Sequence, residues 1–308
     1  MPSGQLRFDD DVVIVTGAGR GLGRSHAQQF AARGARVVLN DIDLDVAKEA
    51  VAEIVAAGGT AVADDNNIAT EEGAAELVKH ALDEFGTLTV VVNNAGIINY
   101  HKLEDITPQL WSDMVSVTLN GTYFVTRAAW PTFLANDYGR VVNTTSNAGF
   151  AGNETLVHYG AAKLGIAGFT KALSQEVAGT GIHVNAIAPM AVTRMNRDAF
   201  FGGKESASDD WRDDLKSGRV PMGPPSAVSP TVLWLAHRDT QVNGDVFSTS
   251  SGKVSRVGFI VGEGYFNPDY TPEDLRDNVD AVRSLDNYLD PVRGTGDELA
   301  LIPPLFQQ

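Results

Sequence analysis

Within the stretch TTSNAGFAGNETLVHYGAAK, three side chains have the types and spacing for acid–base chemistry on an oxygen atom. Ser146 is followed 13 positions on by Tyr159, and Tyr159 four positions on by Lys163. A tyrosine hydroxyl, with a reference pKa of about 10, is a poor base at neutral pH. A lysine four residues along a helix shares its face, and an ammonium held close favours the phenolate. Such a pair can take a proton from an alcohol or return one to a carbonyl. Ser146, at the end of a strand-like run, can donate a hydrogen bond to the same oxygen as charge develops. Tyr–Lys pairs at this spacing also occur by chance on helix surfaces, so the triplet needs support from elsewhere in the chain.

That support lies towards the N-terminus. TGAGRGLG (16–23) sets Gly17, Gly21 and Gly23 between an apolar run and a helix-like stretch, with Arg20 and Leu22 in the same loop. Glycine there allows a tight turn and close approach of backbone to a pyrophosphate, and the next helix points its first N–H groups at the phosphates. Asp41 stands 18 positions past Gly23, after the second apolar run. A carboxylate there accepts both hydroxyls of an adenosine ribose and repels a 2′-phosphate, which favours NAD over NADP. Arg20 argues the other way, since a cation in the loop could hold that phosphate, but close like-charge repulsion from Asp41 is expected to dominate. Asp41 could instead cap a helix, although DIDLD offers two other aspartates for that duty. NNAG (93–96) ends another strand-like run, where asparagines can tie strand ends together and Gly96 leaves room for a cofactor. A bound nicotinamide supplies the hydride chemistry that side chains lack.

The elements that must position these residues follow one rhythm. VVIVT (12–16), ARVVLN (35–40), TLTVVVN (87–93), GRVVNTT (139–145) and GIHVNAIA (181–188) are β-branched and apolar without clean alternation. This is the pattern of strands buried on both faces of a parallel sheet. Between them, 22–33, 44–57, 71–85, 107–135 and 157–178 show helical periodicity. The expectation is an α/β fold, a single Rossmann-like doubly wound parallel sheet with helices on both faces. Its bounds are set at 1–252, with 194–230, polar and punctuated by glycine and proline, as a lid. Residues 253–308 form an extension, with a helix start at TPEDLRDN, packed on its own or a neighbouring subunit.

Composition excludes several partners. A formal charge of −15 argues against nucleic acid, whose phosphates need a basic face. No apolar stretch approaches the roughly 20 residues of a membrane span. With no secretory h-region at the N-terminus and no peroxisomal tripeptide in LFQQ, a cytoplasmic protein is expected. Cysteine is absent, so disulfides and thiolate metal sites are excluded. No metal is expected at His101 or His158, which lack ligand spacing with carboxylates.

TGxxxGxG, NNAG and Ser…Tyr-x-x-x-Lys, in this order over roughly residues 8–250, resemble the short-chain dehydrogenase/reductase family. The resemblance implies that Gly17, Gly21, Leu22 and Gly23 hold the pyrophosphate and Asp41 the ribose. Asn67 and Ile68 would flank the adenine, with Asn67 where the family more often has aspartate. Asn94, Ala95 and Gly96 would border the nicotinamide ribose, while Val192 and Thr193, after Pro189, would meet the carboxamide end. Tyr159 would be the acid/base, Lys163 its partner and a ribose ligand, and Ser146 the oxygen donor. Longer stretches, among them HYGAAKLGIAGFTKAL and IHVNAIAPMAVTRM, are similar to the dehydrogenase part of the peroxisomal multifunctional enzymes. That implies a (3R)-hydroxyacyl-CoA substrate, with a 17β-hydroxysteroid or a terpenol as alternatives. Arg194, Arg197, Lys204 and Arg212 are candidate CoA contacts. Met195, Phe200, Phe201 and Trp211 could line an apolar pocket or pack the lid. A homo-dimer or homo-tetramer through helices 107–135 and 157–178 is also implied. A non-catalytic nucleotide sensor would be expected to have lost Ser146, Tyr159 or Lys163, and all three are present.

One stretch departs from the family. Where its members carry N-L-x-G on the fourth long helix, this chain has T-L-N-G, which puts Thr118 at the catalytic asparagine's position. Asn120 lies two residues on, about 200° around an α-helix, and so points away unless the helix is deformed. A π-bulge would change this, but nothing in the sequence demands one. Thr118 or backbone groups are expected to serve the proton relay, with Asn120 structural.

Overall fold

The β-branched runs lie side by side as strands. The computed structural model describes residues 4–193, 211–218, 222–290 and 297. In chain order, β1 (Val12–Thr16), α1 (Gly21–Ala31), β2 (Arg36–Asn40), α2 (Leu44–Ala56), β3 (Thr60–Asp64), α3 (Glu71–Phe85) and β4 (Val90–Asn93) form the first half. There follow α4 (Pro108–Met114), a π-helical segment (Val115–Asn120), α5 (Gly121–Asn136), β5 (Gly139–Thr144), α6 (Asn147–Ala151), α7 (Val157–Glu176) and β6 (Ile182–Pro189). After these come α8 (Trp211–Lys216), α9 (Ser229–Ala236), β7 (Val246–Ser250) and β8 (Lys253–Val257).

The strands make one sheet in the order β3-β2-β1-β4-β5-β6-β7-β8, and β1 to β7 pair in parallel. This is the Rossmann-like doubly wound arrangement. The strand residues alternate between two cores. Val13, Val15, Leu39, Val92 and Val142 pack on one face, and Val12, Ile14, Val38, Val91 and Val141 on the other. Burial on both faces explains why the runs show no alternation of apolar and polar residues. Short-range chemistry starts the helices. Asp43 and Thr70 accept the Val46 and Gly73 N–H groups as N-caps, and Thr107 accepts Leu110 N–H ahead of Pro108.

Two departures from the sequence expectation have physical causes. TAVAD and VFSTS form β3 and β7 although alanine, serine and threonine make them weak apolar runs; pairing with β2 and β6 holds them in place. The single helix expected over 107–135 is instead α-helix, one π-helical segment, then α-helix.

Met1–Arg256 forms one compact unit and Val257–Gln308 a second. The second contains β9 (Val261–Gly262) paired antiparallel with β10 (Tyr288–Leu289), α10 (Pro272–Asp277) and α11 (Val279–Arg283). The α10 start is a capping box, with Thr271 Oγ1 accepting Asp274 N–H and the Asp274 carboxylate accepting Thr271 N–H. Among the described residues no helix is long and apolar enough to cross a membrane.

Candidate active site

Parallel pairing brings the C-terminal ends of β1 to β7 to the same edge. There the glycine loop follows β1, Asp41 follows β2, Asn94–Gly96 follow β4 and Ser146 follows β5. Pro189 closes β6, with Val192 and Thr193 just beyond. Strand order reverses between β1 and β4, and in open α/β sheets that switch point leaves a crevice for a ligand.

On the nucleotide side, Gly17 and Gly21 have φ of +59° and +57°, the left-handed region. A Cβ on Gly17 would lie 2.8 Å from Ala95 Cα, and one on Gly23 only 2.4 Å from the Gly17 carbonyl oxygen. These glycines therefore let the loop fold against NNAG as well as leaving backbone open to a ligand. Asn94 locks that contact, its amide donating to the Thr16 and Gly17 carbonyls at 2.9 and 3.0 Å. Thr16 Oγ1 accepts both the Asn94 and Ala95 N–H groups at 3.1 Å. One strand over, Asn93 donates to Asn143 Oδ1 and Thr126 Oγ1, and Asn143 to Thr170 Oγ1, each at 2.9 Å. This buried chain ties β4 to β5, α5 and α7.

Asp41 accepts one backbone N–H on each oxygen, from Gly19 at 3.0 Å and Asp43 at 3.1 Å. A carboxylate oxygen accepts more than one bond, so capacity remains for two ribose hydroxyls. The open glycine cradle and this carboxylate fit a dinucleotide. Arg20 donates to Asp43 at 2.9 Å. Leu22 is half-buried against the core. Thr193 reaches back to the loop, its methyl 3.7 Å from where a Gly21 Cβ would stand, while Val192 is buried with its N–H on Gly223 O at 3.0 Å. Asn67 is exposed and accepts Ala69 N–H at 3.0 Å in the turn before α3. Ile68 is buried, its side chain against Gly121, which leaves only its backbone to border a ligand.

On the chemical side, Ser146 caps α6, accepting Ala148 N–H at 3.2 Å, while Tyr159 and Lys163 share one face of α7. Lys163 is buried, and its Nζ lies 5.9 Å from the centroid of the Tyr159 ring and donates to Thr144 O at 2.7 Å. With no carboxylate bonded to it, burial lowers its pKa to about 8. Burial also raises the Tyr159 pKa; the hydrogen bond with Ser146 lowers it, and the nearby Tyr100 phenol raises it further. Lys163 is not among these influences. The ammonium sits over the ring and is spent on a carbonyl, so burial prevails. Asn99, bonded to His158, and His101, whose N–H meets Thr155 O at 3.0 Å, anchor the loop that carries Tyr100.

The π-helical segment overturns the expectation of a regular helix around Asn120. Thr118, fully buried within it, borders Gly96, as Lys163 does. A Cβ on Gly96 would lie 3.3 Å from Lys163 Nζ and 3.6 Å from Thr118 Oγ1. Thr118 O accepts the Thr122 hydroxyl at 2.9 Å. The Asn120 side chain is half-buried.

Sequence reasoning passed over Tyr100, gave Thr16 and Gly19 no separate role within the quoted loop, and saw Asp43 only as a possible helix cap, which it is. Gly19 is a glycine of the quoted loop, and its Cβ would meet Asp41 Oδ2 at 2.8 Å, so a signal was there. Thr16 opens the quoted loop, but its bonds to the Asn94 and Ala95 N–H groups, like the place of Tyr100 near Tyr159, arise from neighbours distant in sequence. Of the lid candidates, Arg194, Met195, Arg197, Phe200, Phe201 and Lys204 lie outside the described residues. Trp211 packs on Gly223, and the Arg212 guanidinium lies 4.6 Å from its ring centroid.

The profile of the short chain dehydrogenase family matches residues 11–200. A short-chain type dehydrogenase/reductase of Mycobacterium tuberculosis is 40% identical over 83% of this chain and 87% of its own length. The peroxisomal multifunctional enzyme type 2 of Mus musculus is 39% identical over 93% of this chain, which spans 38% of that enzyme. The solved full-length peroxisomal multifunctional enzyme type 2 of Drosophila melanogaster superposes with a TM-score of 0.79 at 29% identity, covering 98% of this chain and 50% of that one. The chain belongs to the short-chain dehydrogenase/reductase family, and is an oxidoreductase acting on CH–OH groups.

Proposed function

We propose that the protein interconverts a secondary alcohol and a ketone with NAD, and that its substrate is a (3R)-hydroxyacyl-CoA. One observation carries the chemistry: Tyr159 hydrogen-bonds Ser146, and the buried Lys163 lies over the Tyr159 ring with its Nζ beside Gly96, in the loop that follows β4. Tyr159 exchanges the proton with the substrate oxygen, Ser146 donates to that oxygen, and Lys163 holds positive charge by the phenol ring. A nicotinamide, when bound, supplies or accepts the hydride. The raised Tyr159 pKa keeps the phenol protonated at neutral pH, the state that gives a proton to a ketone. Removing a proton from an alcohol then becomes easier as pH rises. Asp41 supports NAD over NADP. The substrate class is supported by the likeness to the multifunctional enzymes over nearly the whole chain. Exposed Tyr123 and Leu134 on α5 and Leu164 on α7 suit a face between subunits of a homo-dimer or homo-tetramer.

The test is NAD reduction with (3R)- and (3S)-hydroxyacyl-CoAs, 17β-hydroxysteroids and terpenols. The (3R) thioesters should give the highest kcat/KM. A steroid or terpenol above them sinks the acyl-CoA assignment, and NAD binding without any turnover identifies a sensor instead.

A further inference from the structure

Two carboxylates of the DIDLD turn hold two consecutive residues of the glycine loop. Asp41 Oδ2 accepts Gly19 N–H at 3.0 Å, and Asp43 Oδ2 accepts from Arg20 Nη2 at 2.9 Å. The turn is itself braced, since Asp41 Oδ1 takes the Asp43 N–H at 3.1 Å and Asp43 Oδ1 caps α2 through Val46 N–H at 3.4 Å. Arg20 is the loop cation that could answer a 2′-phosphate. We propose that Asp43 is a second residue of nucleotide specificity, holding the Arg20 guanidinium in an ion pair so that it does not offset the repulsion of a 2′-phosphate by Asp41. The inference rests on the NAD reading above and deepens it.

The reasoning is one of local charge. Asp41, Asp43 and Arg20 together carry one net negative charge, which disfavours a further phosphate. Without the Asp43 carboxylate the cluster is neutral, and Arg20 is free to turn towards the ribose. The pair is partly exposed, with 41% and 44% of the two side chains accessible, so it is screened by solvent and exchangeable. An exposed pair of this kind is worth at most about five-fold in an equilibrium constant. Asn is as good an N-cap as Asp, so Asp43→Asn removes the charge while keeping the start of α2.

The experiment is calorimetric titration of NAD and of NADP into wild type, Asp43→Asn, Arg20→Gln and the double variant, at low and high ionic strength. Asp43→Asn should tighten NADP binding about five-fold, with the NAD affinity changed by less than about two-fold. The gain should shrink at high salt and vanish in the double variant. An unchanged ratio of the two affinities in Asp43→Asn, or a gain that survives loss of Arg20, overturns the proposal. Should Asp43→Asn fail to fold, Arg20→Gln decides alone: it should leave NADP affinity unchanged, and weaker NADP binding would show that Arg20 already serves the phosphate. A wild type that prefers NADP, or binds neither nucleotide, refutes the NAD reading itself. A wild type that prefers NAD with no response to Asp43→Asn refutes only the role of Asp43.

Discussion

Replacing Lys163 by Met should abolish activity yet raise stability at neutral pH, because the fold holds an ammonium where water would solvate it better. Burial lowers the Lys163 pKa from 10.5 to about 8. That shift corresponds to about 3 kcal/mol, at roughly 1.4 kcal/mol per unit. Below about pH 8 both folded and unfolded chains hold the proton, and the full cost of the buried charge is present. Between about 8 and 10.5 the unfolded chain keeps the proton while the folded chain gives it up, so stability rises with pH through this window. Against the gain stands the bond from Nζ to Thr144 O at 2.7 Å. Leaving that carbonyl unpaired costs about 1–3 kcal/mol. The net gain at neutral pH is therefore about 1 kcal/mol, a rise of roughly 2–4 °C in Tm for a domain of this size. The sharper measurement is the difference between wild-type and variant unfolding free energies, from urea titrations at pH values spanning the window. That difference should move in favour of the wild type by about 3 kcal/mol across it. Parallel curves for the two proteins would refute the claim that a charged lysine is buried at a cost.

Three further outcomes can be measured. Tyr159→Phe should lower turnover by about 10²–10⁴-fold while leaving NAD affinity within about two-fold by titration, and wild-type alcohol oxidation should accelerate with rising pH, since the Tyr159 pKa is raised. His26, fully buried with Nδ1 2.8 Å from Ser229 Oγ, has its pKa lowered from 6.5 to about 3. The unfolded chain binds that proton first, so stability should fall as pH drops from about 6.5 towards 3, and His26→Gln should flatten this acid limb in unfolding curves.

Much of the fold was legible because its signals are local. VVIVT became β1 residue for residue, and the helices over 44–57 and 71–85 end within one residue of expectation. β3 and β7 were not legible, since their strand character comes from the neighbours they pair with. The same division runs through the site. Residue types and spacing marked Gly17, Gly21, Gly23, Asp41, Ser146, Tyr159 and Lys163. They did not reveal that Thr16 Oγ1 accepts the Asn94 and Ala95 N–H groups, nor that Asp43 grips Arg20.

By itself the sequence determined the five most apolar strands, the glycine loop between β1 and α1 and the spacing of the candidate acid–base trio, because each depends on which side chains follow one another. The tertiary structure decided what those groups experience. Burial lowers the Lys163 pKa and raises that of Tyr159. It also decided the π-helical turn that includes Thr118, which borders Gly96. Proton affinity and helix distortion depend on desolvation and on neighbours brought from distant parts of the chain, and spacing along the sequence carries neither.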